Sequence, residues 1–287
     1  MAGLNRTDLK IAKTIKLFIA GEFPRTESGR SFPAYKSGTQ ELYAHLCLAS
    51  RKDFRNAVTA AQEAQKSWES KTAYNRSQIL YRMAEMAEAK RAEFMEVLFS
   101  TLGYSEAEAG AAVDGMIDAF VYYAGWADKY QQVMGAVNPV AGPHHNFTST
   151  EPVGVVGLLA DEKFDLARLA ADLAAILVSG NTVVALLAKD GAAVLGALAE
   201  TLATSDLPKG VVNLLSGDLA ELKAQFGSHM ELDSLSYQGS DKAVLAEVQK
   251  LGVENMKRIV KRAREPLSLE HLLSFIEYKT VWHPIGY

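Results

Sequence analysis

Two uninterrupted apolar runs, each followed by a helical pattern, constrain the fold of this chain more than any other feature. The runs are residues 153–160 (VGVVGLLA) and 182–188 (TVVALLA). A strand without polar alternation is typical of a parallel sheet that helices cover on both faces. The first helical pattern ends at Gly180, which stands in a C-cap position. Its apolar positions are Leu166, Leu169, Leu173, Ile176 and Leu177.

The alternation of strand and helix continues beyond these two runs, into a helix over 191–203. Apolar segments at 211–215 and 232–237 are followed by helical patterns near 218–227 and 241–251, and residues 258–260 form a plausible fifth strand. Strands that alternate with helices of this length favour an α/β fold with a doubly wound, Rossmann-like parallel sheet and right-handed crossovers.

The residues before the sheet are predicted to be largely helical. Residues 16–36 indicate a small hairpin with its turn at Gly21–Glu22. Ser50 stands as the N-cap of an amphipathic helix, a longer helix follows, and a third extends from about 105 to 132. Their apolar stripes are typical of core positions. These are Phe54, Ala57, Val58, Ala61, Gln65 and Trp68, then Ile79, Met83, Met86, Phe94 and Val97, then Val113, Ile117, Phe120 and Trp126.

Two segments outside this pattern predict a β element that projects from the sheet. Residues 133–150 are rich in Gly and Pro and too apolar for a linker, which favours a projecting hairpin. Residues 276–285 are β-branched and aromatic, and such a segment needs a strand partner. An apolar edge strand invites pairing with another chain. The candidate interface residues are therefore Val281, Trp282 and Ile285.

Composition limits the classes of function. A chain of 287 residues forms one large or two modest domains. The formal net charge of −4 gives no electrostatic reason to expect nucleic acid or an anionic membrane as a partner. The single cysteine, Cys47, excludes an intrachain disulfide and a cysteine-rich zinc site, which suits a reducing compartment. No apolar run is typical of a signal peptide or a membrane span, so we expect a cytoplasmic protein.

Two polar clusters have no assigned chemistry. His144 and His145 are adjacent, and adjacent side chains on a strand point to opposite faces. A metal ligand usually needs further partners, so we expect a solvated turn and no metal. The second cluster is a basic run that either docks an acidic partner surface or forms a solvated face. Its members are Lys257, Arg258, Lys261, Arg262 and Arg264.

Several segments spread over the chain carry a resemblance to one family. Their order and spacing resemble those of aldehyde dehydrogenases: EPVGVVG, SGNTVV, DLPKGVVNLLSG, YQGS and NMKRIV. The ending FIEYKTVWHPIG most resembles the shortened, non-catalytic C-terminal half of family-16 enzymes. The resemblance implies an NAD-binding-type domain over 1–132 and 151–262, an oligomerisation element over 133–150 plus 272–287, and an absent catalytic domain.

The resemblance also places the chemistry of the family at positions that hold other residue types here. The family uses a cysteine nucleophile, an asparagine that holds the oxyanion and a glutamate that activates water. Cys47 lies far from the nucleophile position, and we expect it to fill core space. The asparagine and glutamate positions hold Lys163 and Arg262. No catalytic residue is therefore expected.

The cofactor positions of the family are altered as well. By the resemblance, the lysine that holds the adenosine ribose is replaced by Leu186, and a nearby glutamate by Lys189. Gly239 and Ser240 remain candidate cofactor-binding residues, because N–H groups at a helix start can meet a phosphate. A capped structural helix gives the same pattern, and Asp241 suits its dipole without any phosphate. We expect no cofactor, with NAD(P) as the alternative.

Two hypotheses of function follow from the resemblance. The first is a non-catalytic pseudoenzyme that acts as a structural or regulatory subunit, as a homodimer or with a catalytic aldehyde dehydrogenase. The alternative is an NAD(P)-dependent aldehyde dehydrogenase or oxidoreductase subunit that retains nucleotide binding.

Overall fold

A computed structural model describes residues 12–160, 163–188 and 191–286. Within these ranges the chain forms three β-sheets and ten α-helices. The strands are β1 (Lys13–Ile15), β2 (Ser31–Tyr35), β3 (Leu42–Cys47), β4 (Ala136–Asn138), β5 (His144–Pro152), β6 (Val155–Leu159), β7 (Thr182–Leu187), β8 (Val212–Ser216), β9 (Ser234–Tyr237), β10 (Arg258–Lys261) and β11 (Ile276–Pro284). The helices are α1 (Arg51–Glu69), α2 (Ala73–Ala89), α3 (Arg91–Val97), α4 (Glu106–Ala124), α5 (Tyr130–Met134), α6 (Leu166–Val178), α7 (Leu195–Ala203), α8 (Leu219–Ser228), α9 (Lys242–Leu251) and α10 (Leu269–Leu273).

The central sheet has five parallel strands in the order β10-β9-β6-β7-β8. The chain winds outward from β6 through β7 to β8, then returns to the other side of β6 for β9 and β10. This confirms the doubly wound α/β fold. The order reverses between β6 and β9, and the crevice at such a switch point is where doubly wound folds bind ligands.

Both faces of the central sheet are covered, which explains its continuous apolar strands. Along β7, Val183, Ala185 and Leu187 pack into one core with α2, α4 and α6. Val184 and Leu186 pack into the opposite core with α1 and α8. Because successive side chains alternate between faces, burial on both faces requires every position to be apolar.

The N-terminal region is helical, but its details differ from the predictions. Ile19 and Glu22 exchange hydrogen bonds across a turn at Ala20–Gly21, and Ser50 caps α1 in a capping box with Asp53. The predicted second helix is instead two helices, α2 and α3, divided at Lys90, and the third ends at Ala124. β3 was not predicted, and it pairs with both β1 and β2.

The projecting hairpin forms a third sheet with the last strand, in the order β11-β5-β4. β11 pairs antiparallel with β5 over its whole length, from Ile276 opposite Pro152 to Pro284 opposite His144. The expectation that His144 and His145 lie in a solvated turn was wrong, because both belong to β5. Among the described helices, none is both long and apolar enough to cross a membrane.

Candidate functional site

The crevice at the switch point is the natural place for a ligand in this fold, and side chains fill it. It lies at the carboxyl ends of β6, β9 and β10. The described residues that line it enclose only about 10 Å³. That space holds about one water molecule, whereas ligand pockets usually enclose several hundred Å³.

An aromatic ring closes one side of the crevice. Phe164 is buried, and a Cβ added to Gly191 would lie 1.9 Å from its ring. The hydroxyl of Tyr104 donates to the backbone carbonyl of Phe164 at 3.2 Å, which holds the backbone of this residue in place. Phe164, which follows β6, therefore packs closely against Gly191, which follows β7.

A polar network closes the other side. Near the start of α6, the Arg168 Nε donates to the Gln238 Oε1 at 3.3 Å and its Nη2 donates to the Ala263 carbonyl at 2.8 Å. The Arg262 Nη1 donates to the Gln238 carbonyl at 3.0 Å. These contacts tie the ends of β9 and β10 to α6 and leave Gln238 buried.

A buried acid and a buried histidine lie directly beneath this network. The Asp172 Oδ1 is 2.7 Å from the His271 Nε2 and 3.6 Å from the Arg168 Nε. Asp172 and His271 are 0% and 1% exposed. Burial raises the pKa of the Asp172 carboxyl, while the His271 imidazole and the Arg168 guanidinium oppose that rise. Neither Asp172 oxygen accepts a well-aligned hydrogen bond from a described residue.

A second, larger cavity of about 490 Å³ lies on the other side of His271. It is lined by the end of β10, the loop that follows and α10, with Lys261, Arg264 and Ser268 among its residues. Arg262 borders both cavities. The chain therefore has an occupied crevice and, beside it, a polar cavity of ligand size.

The residues that the resemblance places at the catalytic positions, and the one cysteine, lie in different parts of the fold. Lys163 is exposed at the start of the segment that leads into α6, and Arg262 is exposed and supports Gln238. Cys47 is buried at the end of β3, with no second cysteine in the chain. Leu186 is buried in β7, and Lys189 lies outside the described residues.

Of the two candidate cofactor residues, Gly239 has a packing role and Ser240 lies exposed before the helix. A Cβ on Gly239 would lie 2.3 Å from the Tyr237 hydroxyl oxygen, so the close packing of that ring requires glycine. Ser240 is exposed, and it does not cap the helix that follows. The N-cap of α9 is Asp241, whose side chain accepts from the Ala243 N–H at 2.7 Å.

The structure places Val281 and Trp282 on opposite faces of the projecting sheet, and Ile285 follows the end of β11. Val281 lies opposite Phe147. Trp282 points to the other face, where its ring lies 5.8 Å from that of His144. Trp282 is 60% exposed and Ile285 49% exposed.

The basic run is also divided. Lys257 is only 6% exposed and donates to the His229 carbonyl at 2.8 Å, so the run is neither a continuous docking surface nor a continuous solvated face. Arg258 pairs with Glu277 at 3.1 Å and connects the central sheet to β11. The exposed members of the basic run are Lys261, at the end of β10, and the two arginines after it, Arg262 and Arg264.

Sequence reasoning missed Asp172 and His271 as site residues. Asp172 stands within the apolar pattern of α6, and an acid on the buried face of a helix signals a specific partner. That partner, His271, lies in a short polar segment without a pattern. No local signal indicated that the two would meet.

Comparison with known proteins then decides the family. The sequence model described as "Aldehyde dehydrogenase family" matches residues 23–262. The chain belongs to the aldehyde dehydrogenase family. Human retinal dehydrogenase 2 is 34% identical over 255 residues, which are 86% of this chain and 48% of that protein. A mitochondrial benzaldehyde dehydrogenase from Antirrhinum majus is 31% identical over 248 residues, which are 85% of this chain and 46% of that protein.

Solved structures of the family agree with the fold. The NAD⁺ complex of an aldehyde dehydrogenase from Bacillus cereus superposes with a TM-score of 0.81 at 29% identity, over 87% of this chain and 50% of that one. The chain thus spans about half the length of the family members it matches. The finer likeness to the family-16 half stays a prediction.

Proposed function

We propose that this chain is a non-catalytic member of the aldehyde dehydrogenase family, a pseudoenzyme that acts in the cytoplasm as a structural or regulatory subunit. It would do so as a homodimer or with a catalytic aldehyde dehydrogenase. The observation that carries this proposal is the filled crevice at the switch point, where about 10 Å³ remains between the described residues. Phe164 and the Arg168 network occupy the part of the crevice that these described residues line.

The residue types around the crevice support the same proposal. Aldehyde oxidation in this family needs a nucleophile, an oxyanion donor and a base in one place. Here a lysine and an arginine stand at two of those positions, and the one thiol is buried elsewhere. Between β10 and β11 only residues 262–275 connect the two strands, which is too short for an inserted domain.

The open edge of β11 supports a role in assembly. The Ile285 N–H donates to the Pro143 carbonyl at 2.9 Å, in register with the pairing of β11 and β5. In an antiparallel pair, hydrogen-bonded positions alternate, so the odd-numbered residues of β11 face β5. The N–H and C=O groups of Tyr278, Thr280 and Trp282 therefore point outward. Such a row of groups is a template for a strand of another chain.

A proline at an outward position tests the assembly role. Tyr278→Pro removes an outward N–H and leaves the ladder with β5 intact, because proline is tolerated at sheet edges. The control Tyr278→Thr loses the same side chain but keeps the N–H. Sedimentation velocity on the full chain, alone and mixed with a catalytic aldehyde dehydrogenase, reports the assembly. We expect a complex with the threonine variant and none with the proline variant. Equal assembly of both would refute the role of this edge.

The alternative function is retained NAD(P) binding, and the NAD⁺ bound to the Bacillus cereus relative is what favours it. Calorimetric titration of the full chain with NAD⁺ and NADH separates the two functions. We expect no saturable heat, because the crevice is occupied. Micromolar binding would replace the pseudoenzyme proposal with the alternative.

A further inference from the structure

We infer that the cavity over His271 is a binding site for a small molecule that carries a carboxylate or a phosphate group. The enclosed volume of about 490 Å³ is within the range of metabolite-sized ligands. The site is distinct from the filled crevice and from the open edge of β11. The inference does not depend on the proposed role in assembly.

Positive charge at the mouth of the cavity points to an anion. Lys261 at the end of β10 and Arg264 three residues later both line the cavity, and both side chains are exposed. Neither forms an ion pair with a described residue, whereas Arg258 at the start of the same strand pairs with Glu277. Two unpaired cations around one cavity attract an oxyanion and can donate charge-assisted hydrogen bonds to it.

A buried histidine in the wall of the cavity is a second, independent indication of a ligand. His271 lines the cavity and is 1% exposed, and its Nδ1 has no hydrogen-bond partner among the described residues. Its Nε2 lies 2.7 Å from the Asp172 Oδ1, although this contact is not an aligned hydrogen bond. A buried polar atom left without a partner usually meets a ligand or water. With the Nε2 facing Asp172, the Nδ1 is the atom left to meet a ligand in the cavity.

The walls of the cavity are held rigidly, as a binding site requires. The Tyr123 hydroxyl donates to the Pro266 carbonyl at 2.6 Å, and the Arg168 Nη2 holds the Ala263 carbonyl. Ser268 caps α10 by accepting from the His271 N–H at 3.2 Å. The ring of His271 also packs edge-on against Phe275 at 5.3 Å. The backbone around the cavity is therefore positioned before any ligand arrives.

Two acids restrict the ligand. Glu265 and Glu270 also line the cavity, so a molecule with negative charge along its whole length would be repelled. A ligand whose anionic group is at one end, against Lys261, Arg264 and His271, avoids this repulsion. The chemistry is shared by a terminal phosphate monoester and a terminal carboxylate.

Titration with two simple anions tests the site and distinguishes these sources. Sodium phosphate and sodium acetate are titrated separately into the full chain at pH 7, with sodium chloride used to keep the ionic strength constant. Binding is followed by calorimetry and by the assigned imidazole resonance of His271. We expect one anion to give a saturable shift of that resonance, phosphate for a phosphate ligand and acetate for a carboxylate ligand.

A double variant locates the binding. Lys261→Gln with Arg264→Gln removes both mouth cations at exposed positions, so folding should be preserved. Arg55→Gln with Lys250→Gln removes the same charges from exposed positions on α1 and α9 and is the matched control. We expect the first pair to weaken binding about tenfold or more and the control to leave it unchanged, since each charge-assisted contact is worth about tenfold. No saturable shift with either anion, or equal loss in both pairs, would overturn the inference.

Discussion

The buried ammonium of Lys257 should make the stability of this protein rise with pH above neutrality. The residue lies just before β10, and its Nζ donates to the carbonyls of His229 and Leu232. Burial lowers the pKa of the Lys257 ammonium to about 8, while Asp233 opposes the decrease. In the unfolded chain the same group has a pKa of about 10.4.

The size and sign of the effect follow from these two pKa values. The gap between them corresponds to about 3 kcal/mol, at about 1.36 kcal/mol per pKa unit. Below pH 8 the ammonium is charged in both states, and the folded state carries the full cost of burying it. Between about pH 8 and 10 the folded state releases the proton while the unfolded state keeps it. The free energy of unfolding therefore increases with pH in this window.

Replacement by methionine isolates the contribution. Lys257→Met keeps the length of the side chain. The carbonyls of His229 and Leu232 still accept from the Asn255 Nδ2 in the variant, at 3.4 Å and 3.2 Å. Urea unfolding at several pH values from 7 to 10 gives the free energy of unfolding of each protein. We expect wild type to gain up to about 3 kcal/mol relative to the variant across this range.

The matched control for this experiment is Lys250→Met, which changes the same residue type at an exposed position. A flat difference between wild type and Lys257→Met, or a wild type that loses relative stability as the pH rises, would refute the assignment of a charged, desolvated Lys257.

Two further substitutions test the packing around the crevice and the sheet. Gly191→Ala places a Cβ 1.9 Å from the Phe164 ring and should reduce the free energy of unfolding by about 1–3 kcal/mol. The control Gly196→Ala has 3.7 Å to its nearest neighbour and should not destabilise the protein. Thermal unfolding compares the two variants, and equal melting temperatures would contradict the close packing at Gly191. Trp68→Phe removes a buried indole N–H that donates to the last turn of α6 at 3.1 Å, and urea unfolding should show a loss of about 2–4 kcal/mol in the free energy of unfolding. The control Trp282→Phe, at an exposed position, should change that free energy by less than about 0.5 kcal/mol. Similar losses at both sites would contradict the burial of Trp68.

The fold was largely predictable because its signals are local. The apolar run of β7 can be satisfied only by two covered faces, and Ser50 needs only the three residues after it to cap α1. The same holds for Gly180, whose φ of +90° ends α6. Each of these features acts within a few residues, so the sequence pattern contains it fully.

The site was predictable only in part. The residue types at positions 163 and 262 predict lost chemistry by the resemblance, and this stays a prediction. Other features are decided by contacts that the sequence pattern does not reveal. The Tyr237 ring packs on Gly239, and the pairing of β11 with β5 places Val281 and Trp282 on opposite faces of the sheet. Lys257 was predicted to be a surface cation, but the chain between α8 and β9 covers it.

The sequence by itself determined the alternation of strands and helices in the central sheet, the cap of α1, and the two-sided burial of that sheet, because periodicity and apolar runs act over short distances. Only the tertiary structure decided that β3 pairs with both β1 and β2, that Phe164 and Arg168 fill the crevice, and that Asp172 meets His271. These contacts join segments far apart in the chain, and their free energy depends on burial and alignment that no local pattern records.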